Sequence, residues 1–302
     1  MAVNLKALPE EELIGAGRSG CAGCAAMLVP RIALKALGAQ TILVSATGCV
    51  ISNYTHAGSP QVPFMHSLLP GAASLIAGID SGLIALGKRE GITLMAIAGD
   101  GGTADIGLQA LSGAAERGHR FLYVCYDNEG YMNTGGQRSG TTPFDANTST
   151  TPADQAEGIA WIDLTKKKDM PLIMAAHGIP YVATASVAYP QDFLRKVTAA
   201  AAADGPSFLH VVTPCNYRWG FDEGLSIKVS KAAVQTHVAP LFEIENGHKY
   251  TLQLKDQPKR PVADYLKLQS RFRHLSGEQI ALIQAQVDER WEYLRRLAGA
   301  GA

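Results

Sequence analysis

The sequence predicts an α/β fold in which helices flank a mainly parallel sheet, with a C-terminal arm and helix. Three observations carry the prediction. Short apolar runs rich in β-branched residues recur through the first two-thirds of the chain. None alternates cleanly between apolar and polar residues, the pattern of strands buried on both faces. Helical patterns separate the runs, and strand-helix alternation is the signature of parallel βα units.

In chain order, a helix is expected over 22–37 and a strand over 41–45. The apolar stretch from Gly71 to Gly87 holds a helix over 72–86; broken by Ser74, Asp80 and Ser81, it falls short of the ~20 apolar residues of a membrane span. Strands follow at 92–98, 120–126, 181–186 and 207–213. Between them lie helices at 103–117, 170–177 and 190–203, the last with Pro190 in its first turn, where the missing N–H breaks no helical hydrogen bond. Beyond Cys215 the character changes. Residues 246–261 are polar and basic, and Arg271-Phe-Arg-His-Leu275 leads into an amphipathic helix over 276–297 whose Ser276 and Gln279 have capping-box spacing. The expected organisation is an α/β domain over 1–225 and an extension over 226–302, packing on partner subunits or closing the chain's own core.

Composition narrows the function. Among 302 residues, 27 Lys+Arg balance 27 Asp+Glu, so the basic excess of a nucleic-acid or anionic-membrane binder is missing. With 47% hydrophobic and 18% charged residues, the chain lies far from the disordered regime. Its first fifteen residues are acidic where an export signal is basic, so a cytoplasmic location with reduced thiols is expected. The five cysteines are then better suited to metal or redox chemistry than to disulfides.

The most informative segment is Gly99-Asp-Gly-Gly-Thr-Ala104, between a predicted strand and a predicted helix. Glycines there let the backbone approach a phosphate, and the helix N-terminus offers free N–H groups. Gly99, Gly101 and Ala104 also satisfy a dinucleotide fingerprint, but Asp100 would repel a pyrophosphate unless a divalent cation stood between them. The next strand runs into Asp127-Asn-Glu-Gly-Tyr-Met-Asn133, a second oxygen-rich turn. Neighbouring parallel strands would bring both turns together at their carboxyl ends, where Asp100, the Asn128 side-chain oxygen and the main-chain carbonyl of Gly130 suit magnesium. This is the spacing of a thiamine diphosphate motif.

Cys21 and Cys24 form a tight pair, whereas Cys49 and Cys215 stand alone near predicted strand ends. Four converging thiolates suit zinc or a four-iron cluster. Cys125 lies inside an apolar strand and reads as a core residue. A zinc-stapled dinucleotide-binding module is the rival class. Thiamine and iron–sulfur chemistry combine naturally, since an electron-rich adduct can lose electrons singly to an adjacent cluster.

Together, Cys21-Ala-Gly-Cys24, Ala46-Thr-Gly-Cys49, Gly99-Asp-Gly101, Asp127-Asn-Glu-Gly-Tyr-Met-Asn-Thr-Gly-Gly-Gln137 and Pro214-Cys-Asn-Tyr-Arg-Trp-Gly220 resemble the β subunit of the pyruvate:ferredoxin oxidoreductase family. The resemblance spans about 15–274. It implies a four-iron, four-sulfur cluster on Cys21, Cys24, Cys49 and Cys215 beside thiamine diphosphate, with magnesium on Asp100, Asn128 and Gly130. Gly99, Asp100, Gly101, Gly102, Asn128, Glu129, Gly130, Tyr131, Met132, Asn133 and the Cys49 backbone would line the cofactor, with Asn133 near its reacting end. The implied activity is oxidative decarboxylation of a 2-oxoacid, with CoA as the usual co-substrate and electrons leaving through a ferredoxin-like subunit. The implied assembly contains α and γ subunits as a dimer of multi-subunit units, and the glutamate that activates the aminopyrimidine belongs to another chain.

The family often carries a Trp-x-His-x-x-Phe-Glu-Asn pattern where this chain reads Phe64-Met-His-Ser-Leu-Leu-Pro-Gly71. His66 is kept and Pro70-Gly71 replaces the Glu-Asn pair; Ala25 and Ala26 also depart from the usual residues after the cysteine pair. These changes widen the expected substrates from pyruvate to an aryl oxoacid such as phenylglyoxylate, a branched oxoacid or oxalate. His56 and His66 are candidate proton carriers. Lys166-Lys-Lys168 is either a solvated loop or a contact for an acidic acceptor.

Overall fold

The computed structural model describes residues 8–16, 19–54, 60–153, 167–254 and 258–299; His56 and Lys166 lie outside them. Eight strands form one sheet: β1 (Thr41–Ala46), β2 (Phe64–Ser67), β3 (Thr93–Gly99), β4 (Leu122–Asp127), β5 (Tyr181–Ala185), β6 (Ser207–Val212), β7 (Phe242–Glu245) and β8 (Lys249–Leu252). The order across the sheet is β2-β1-β3-β4-β6-β5-β7-β8. The first six strands in this order pair in parallel, while β7 and β8 are antiparallel. Two strands from beyond residue 225 therefore continue the sheet.

The central strands have no clean alternation because both their faces are covered. Met95 and Ile97 join one core cluster, and Leu94, Ala96 and Ala98 join the other. Helices α1 (Leu28–Leu37) and α6 (Pro190–Ala202) cover the first face. Helices α3 (Ala72–Ala85), α4 (Leu108–Glu116) and α5 (Met170–Ala175) cover the second. Cys125 is fully buried among them, as expected of a core residue. A third cluster gathers around Trp219, Val229, Tyr265 and Phe272, joining α7 (Asn216–Trp219), α8 (Ser226–Gln235) and α9 (Ala263–Leu266).

Four local differences from the expected elements lie at the site. The first helix begins later, at Leu28: Gly23 at φ 70° turns the chain within the cysteine pair, and a tight helical turn, Ala25–Met27, comes before α1. Cys49 does not end a strand; it opens α2 (Cys49–Tyr54) after a turn at Gly48. A wide helical turn, Gly101–Asp105, precedes α4. Phe64–Ser67 is an edge strand rather than a loop, with His66 opposite Ser45.

The final helix, α10 (Gly277–Leu297), has the expected capping box: Ser276 Oγ accepts from Gln279 N–H, and Gln279 Oε1 accepts from Ser276 N–H. It buries Trp291 and Leu294 against the chain's own second core while Leu282 and Tyr293 stay exposed. No helix among the described residues is long and apolar enough to cross a membrane.

Candidate cofactor site

Strands β3 and β4 are parallel neighbours, with Gly99 opposite Tyr126, so their carboxyl-terminal turns meet. Asp100 is buried at 1% exposure in the first turn, and Asn128 is buried in the second. The Asn128 side-chain amide lies between Asp100 Oδ1, at 3.0 Å, and the Gly130 carbonyl, at 2.9 Å, and donates to both when its nitrogen faces them. With its oxygen facing them instead, the amide would complete a set of three oxygens that suits a hard cation. Because an amide offers donors on one side and an acceptor on the other, Asp100, Asn128 and the Gly130 carbonyl fit magnesium, which would draw the amide oxygen inward.

The other Asp100 oxygen, Oδ2, accepts from Ser139 Oγ at 2.5 Å and lies 3.0 Å from Thr141 Oγ1. Hydroxyls therefore orient the carboxyl group from behind and leave Oδ1 turned toward Asn128. Burial, and then the neighbouring Asp127 carboxylate, push the Asp100 pKa well above its ordinary value; the two hydroxyls pull it back. Asp127 behaves oppositely. Burial works to raise its pKa, but Lys167 and His210 outweigh it and hold the carboxyl below the usual range. His210 Nε2 stands 2.9 Å from Asp127 Oδ2, and Thr141 Oγ1 bridges Asp127 to Asp100.

The glycines have a steric reason. A Cβ on Gly101 would collide with the Tyr131 ring, whose hydroxyl donates to Asp105 at 3.1 Å. A Cβ on Gly48 would meet the Tyr126 hydroxyl, which lies 3.5 Å from the Val50 N–H inside the Cys49 helix.

The four cysteines also converge. Asn216, next to Cys215, donates to the Ala22 carbonyl at 3.0 Å inside the Cys21–Cys24 turn. Ser226 Oγ ties the same turn down through the Gly23 carbonyl at 2.5 Å. Burial first, then repulsion from Cys24, Cys215 and Cys21, pushes the Cys49 thiol up to about 12; burial first also pushes Cys215 up to about 11. Thiols so placed ionise together only with positive charge among them. Among the described residues, no three His, Cys, Asp or Glu groups close on a single ion. The amide of Asn128 lies 3.9 Å from Cys49 Sγ, so the oxygen site and the thiol site abut.

Asn133 is exposed, and its Oδ1 accepts from Ser52 Oγ of α2 at 3.4 Å. His66 Nε2 sits 2.9 Å from Thr47 Oγ1, two residues before Cys49. Met132 and Cys215 both pack against the core cluster around Trp219. Sequence reasoning missed Ser139, Thr141, Asp127, His210 and Trp219; the one available signal was the hydroxyl-rich run Ser139-Gly-Thr-Thr142. It also misread two lysines. Lys167 binds Glu129 at 3.0 Å and Lys168 binds Asp105 at 2.7 Å, so both serve the site's own carboxylates rather than a free basic patch.

Residues 59–211, which include both oxygen-rich turns, match the thiamine pyrophosphate enzyme, C-terminal TPP binding domain family. The pyruvate synthase subunit PorB of Methanothermobacter thermautotrophicus is 48% identical over 95% of this chain and 99% of its own length. The chain belongs to the β subunits of the 2-oxoacid:ferredoxin oxidoreductases. It is therefore an oxidoreductase subunit with a thiamine pyrophosphate binding domain. Within this family, the ketoisovalerate oxidoreductase subunit VorB of Pyrococcus abyssi is 45% identical over 96% of this chain and 95% of that one. The NADH-dependent phenylglyoxylate dehydrogenase subunit beta of Aromatoleum evansii is 41% identical over 95% of this chain and 65% of that one. The 2-oxoglutarate:ferredoxin oxidoreductase of Magnetococcus marinus has the same fold, with a TM-score of 0.56 at 19% identity over 76% of this chain and 84% of that one. In this chain, Thr47 N–H donates to the Ser67 carbonyl at 3.0 Å, which ties the edge strand bearing His66 to the Thr47–Cys49 turn.

Proposed function

We propose that this chain is the catalytic subunit of a cytoplasmic, multi-subunit enzyme that oxidatively decarboxylates a 2-oxoacid, pyruvate by default, to acyl-CoA. Electrons would pass through a four-iron, four-sulfur cluster on Cys21, Cys24, Cys49 and Cys215 to a ferredoxin-like subunit. The observation that carries this reading is that the Asp100 carboxyl, the Asn128 amide and the Gly130 carbonyl converge directly beside Cys49. The names of the PorB relatives support pyruvate, and those of the VorB and phenylglyoxylate relatives support branched and aryl oxoacids as alternatives.

Asp100, Asn128 and the Gly130 carbonyl would hold magnesium. Gly99 to Gly102, Asn128 to Asn133 and the Cys49 backbone would line the diphosphate cofactor. When bound, thiamine diphosphate supplies a nucleophilic carbon and an electron sink for loss of the carboxylate. Ser139 and Thr141 keep one Asp100 oxygen turned inward. Asn133 would orient the reacting end from the mouth of the site, tethered to Ser52. His66 would carry a proton, its Nε2 steadied by Thr47 beside the cysteine turn. The glutamate that activates the cofactor would come from an α subunit, so this chain alone would be inactive.

Anaerobic purification of the whole complex tests the reading. A brown protein with about four irons per cluster, retaining thiamine diphosphate only with magnesium, is expected. A colourless protein that binds NAD without magnesium would sink it. Assay against pyruvate, branched, aryl and dicarboxylic oxoacids, with and without CoA, then decides the substrate.

A further inference from the structure

The loop bearing Asn128 and Gly130 is held from beneath by residues far along the chain. Between them, Glu129 adopts a left-handed backbone at φ 63° and is 1% exposed. Such a conformation persists for a glutamate only where its surroundings over-determine it. Two cations do so: Arg271 donates to Glu129 Oε2 at 2.6 Å and Lys167 to Oε1 at 3.0 Å.

Arg271 is itself fixed. It is buried, its Nε donates to Gln269 Oε1 at 2.9 Å, and its carbonyl accepts from Asn147 N–H at 3.1 Å. Its guanidinium lies over the indole of Trp219, 3.7 Å from the ring centroid. Trp219 is fully buried, and its Nε1–H donates to the main-chain carbonyl of Asn128 at 2.9 Å. Arg271 thus grips the loop twice, through the Glu129 carboxylate and through the indole bonded to Asn128. The main-chain N–H of Trp219 donates to the Cys215 carbonyl at 2.8 Å, so the residue whose indole holds the Asn128 loop belongs to the short helix that follows Cys215.

We infer that Arg271 is a positioning residue: acting through Glu129 and Trp219, it sets Asn128 and Gly130 at the divalent-cation site without touching the cation. The inference rests on the magnesium and thiamine diphosphate reading above. The competing account is a buried ion pair that serves stability alone. Removing one partner of such a pair strands a buried charge, whereas replacing both relieves it.

The test uses the assembled complex carrying Arg271→Lys, Arg271→Met, Glu129→Gln or the Glu129→Gln/Arg271→Met pair. Thermal stability, iron content and thiamine diphosphate retention against magnesium concentration are measured. The double variant should regain most of the stability lost in the single variants yet need about tenfold more magnesium than the parent. Arg271→Lys should lie between them, since it keeps the charge but loses the planar fork and stack. Recovery of stability together with parental magnesium dependence in the double variant would leave Arg271 purely structural and overturn the inference, as would parental dependence in Arg271→Lys. If Arg271→Met does not assemble, the double and lysine variants carry the test. A parent that binds the cofactor without magnesium overturns the underlying reading and the inference together.

Discussion

The side-chain amide of Asn128 lies 3.0 Å from the Asp100 carboxyl group, joining the turns that follow two neighbouring parallel strands. The strand ends fix the two groups side by side, where magnesium would draw the amide oxygen toward itself and the carboxylate. Asp100→Asn removes the charge while keeping the shape. It should weaken magnesium-dependent thiamine diphosphate binding by more than about 100-fold and leave iron content unchanged. Cofactor titration by calorimetry at several magnesium concentrations checks it; unaltered binding would remove Asp100 from the metal site.

Ser139 acts one step behind. Its hydroxyl donates 2.5 Å to the Asp100 oxygen that faces away from Asn128. Ser139→Ala deletes a hydrogen bond to a charged group, a loss of about 1.5–3 kcal/mol. The expected result is a rise in the magnesium requirement of about tenfold or more, smaller than for Asp100→Asn, with KM for the oxoacid unchanged.

Cys215 lies close enough to Cys24 and Cys21 to repel them, and it precedes the helix that carries Trp219. Cys215→Ser should lose the brown colour and the cluster's iron under anaerobic conditions while still binding thiamine diphosphate with magnesium. Electron paramagnetic resonance of the dithionite-reduced protein reads the outcome, and a parental signal would mean that another residue is the fourth ligand.

His237 links pH to the docking of the last helix. It stacks on Trp291 of α10 at 3.8 Å, and burial, then Lys259, lower its pKa from 6.5 to about 4. The unfolded chain therefore binds this proton at a higher pH than the folded chain. Stability from this group is present above pH 6.5 and is lost as pH falls toward about 4. His237→Asn tolerates the left-handed backbone at φ 60° but cannot titrate. Its denaturation midpoint should fall less steeply than the parent's across that window, and an equal slope would show that other groups set the acid limb.

Much of the fold was legible because strand-helix alternation and capping chemistry are local. Ser276 and Gln279 cap α10 at the expected position, and Cys125 is a core residue because it lies mid-strand. The glycine turn at 99–102 and the Asn128 turn were legible because parallel βα units align successive strand ends. Cys49 was misjudged as a strand end because Gly48 and the Tyr126 hydroxyl, a tertiary neighbour, decide that a helix starts there.

By itself, the sequence determined the α/β class, the two oxygen-bearing turns and the cysteine set, since each depends on residue type at short spacing. The tertiary structure alone decided which groups stand behind them. Ser139 reaches Asp100 across 39 residues, and Arg271 reaches Glu129 across 142. Lys167 looked like one of a solvated run and is instead the counter-ion of Glu129. The physical reason is that burying a carboxylate demands a partner, while the sequence does not say from which distant segment the partner comes.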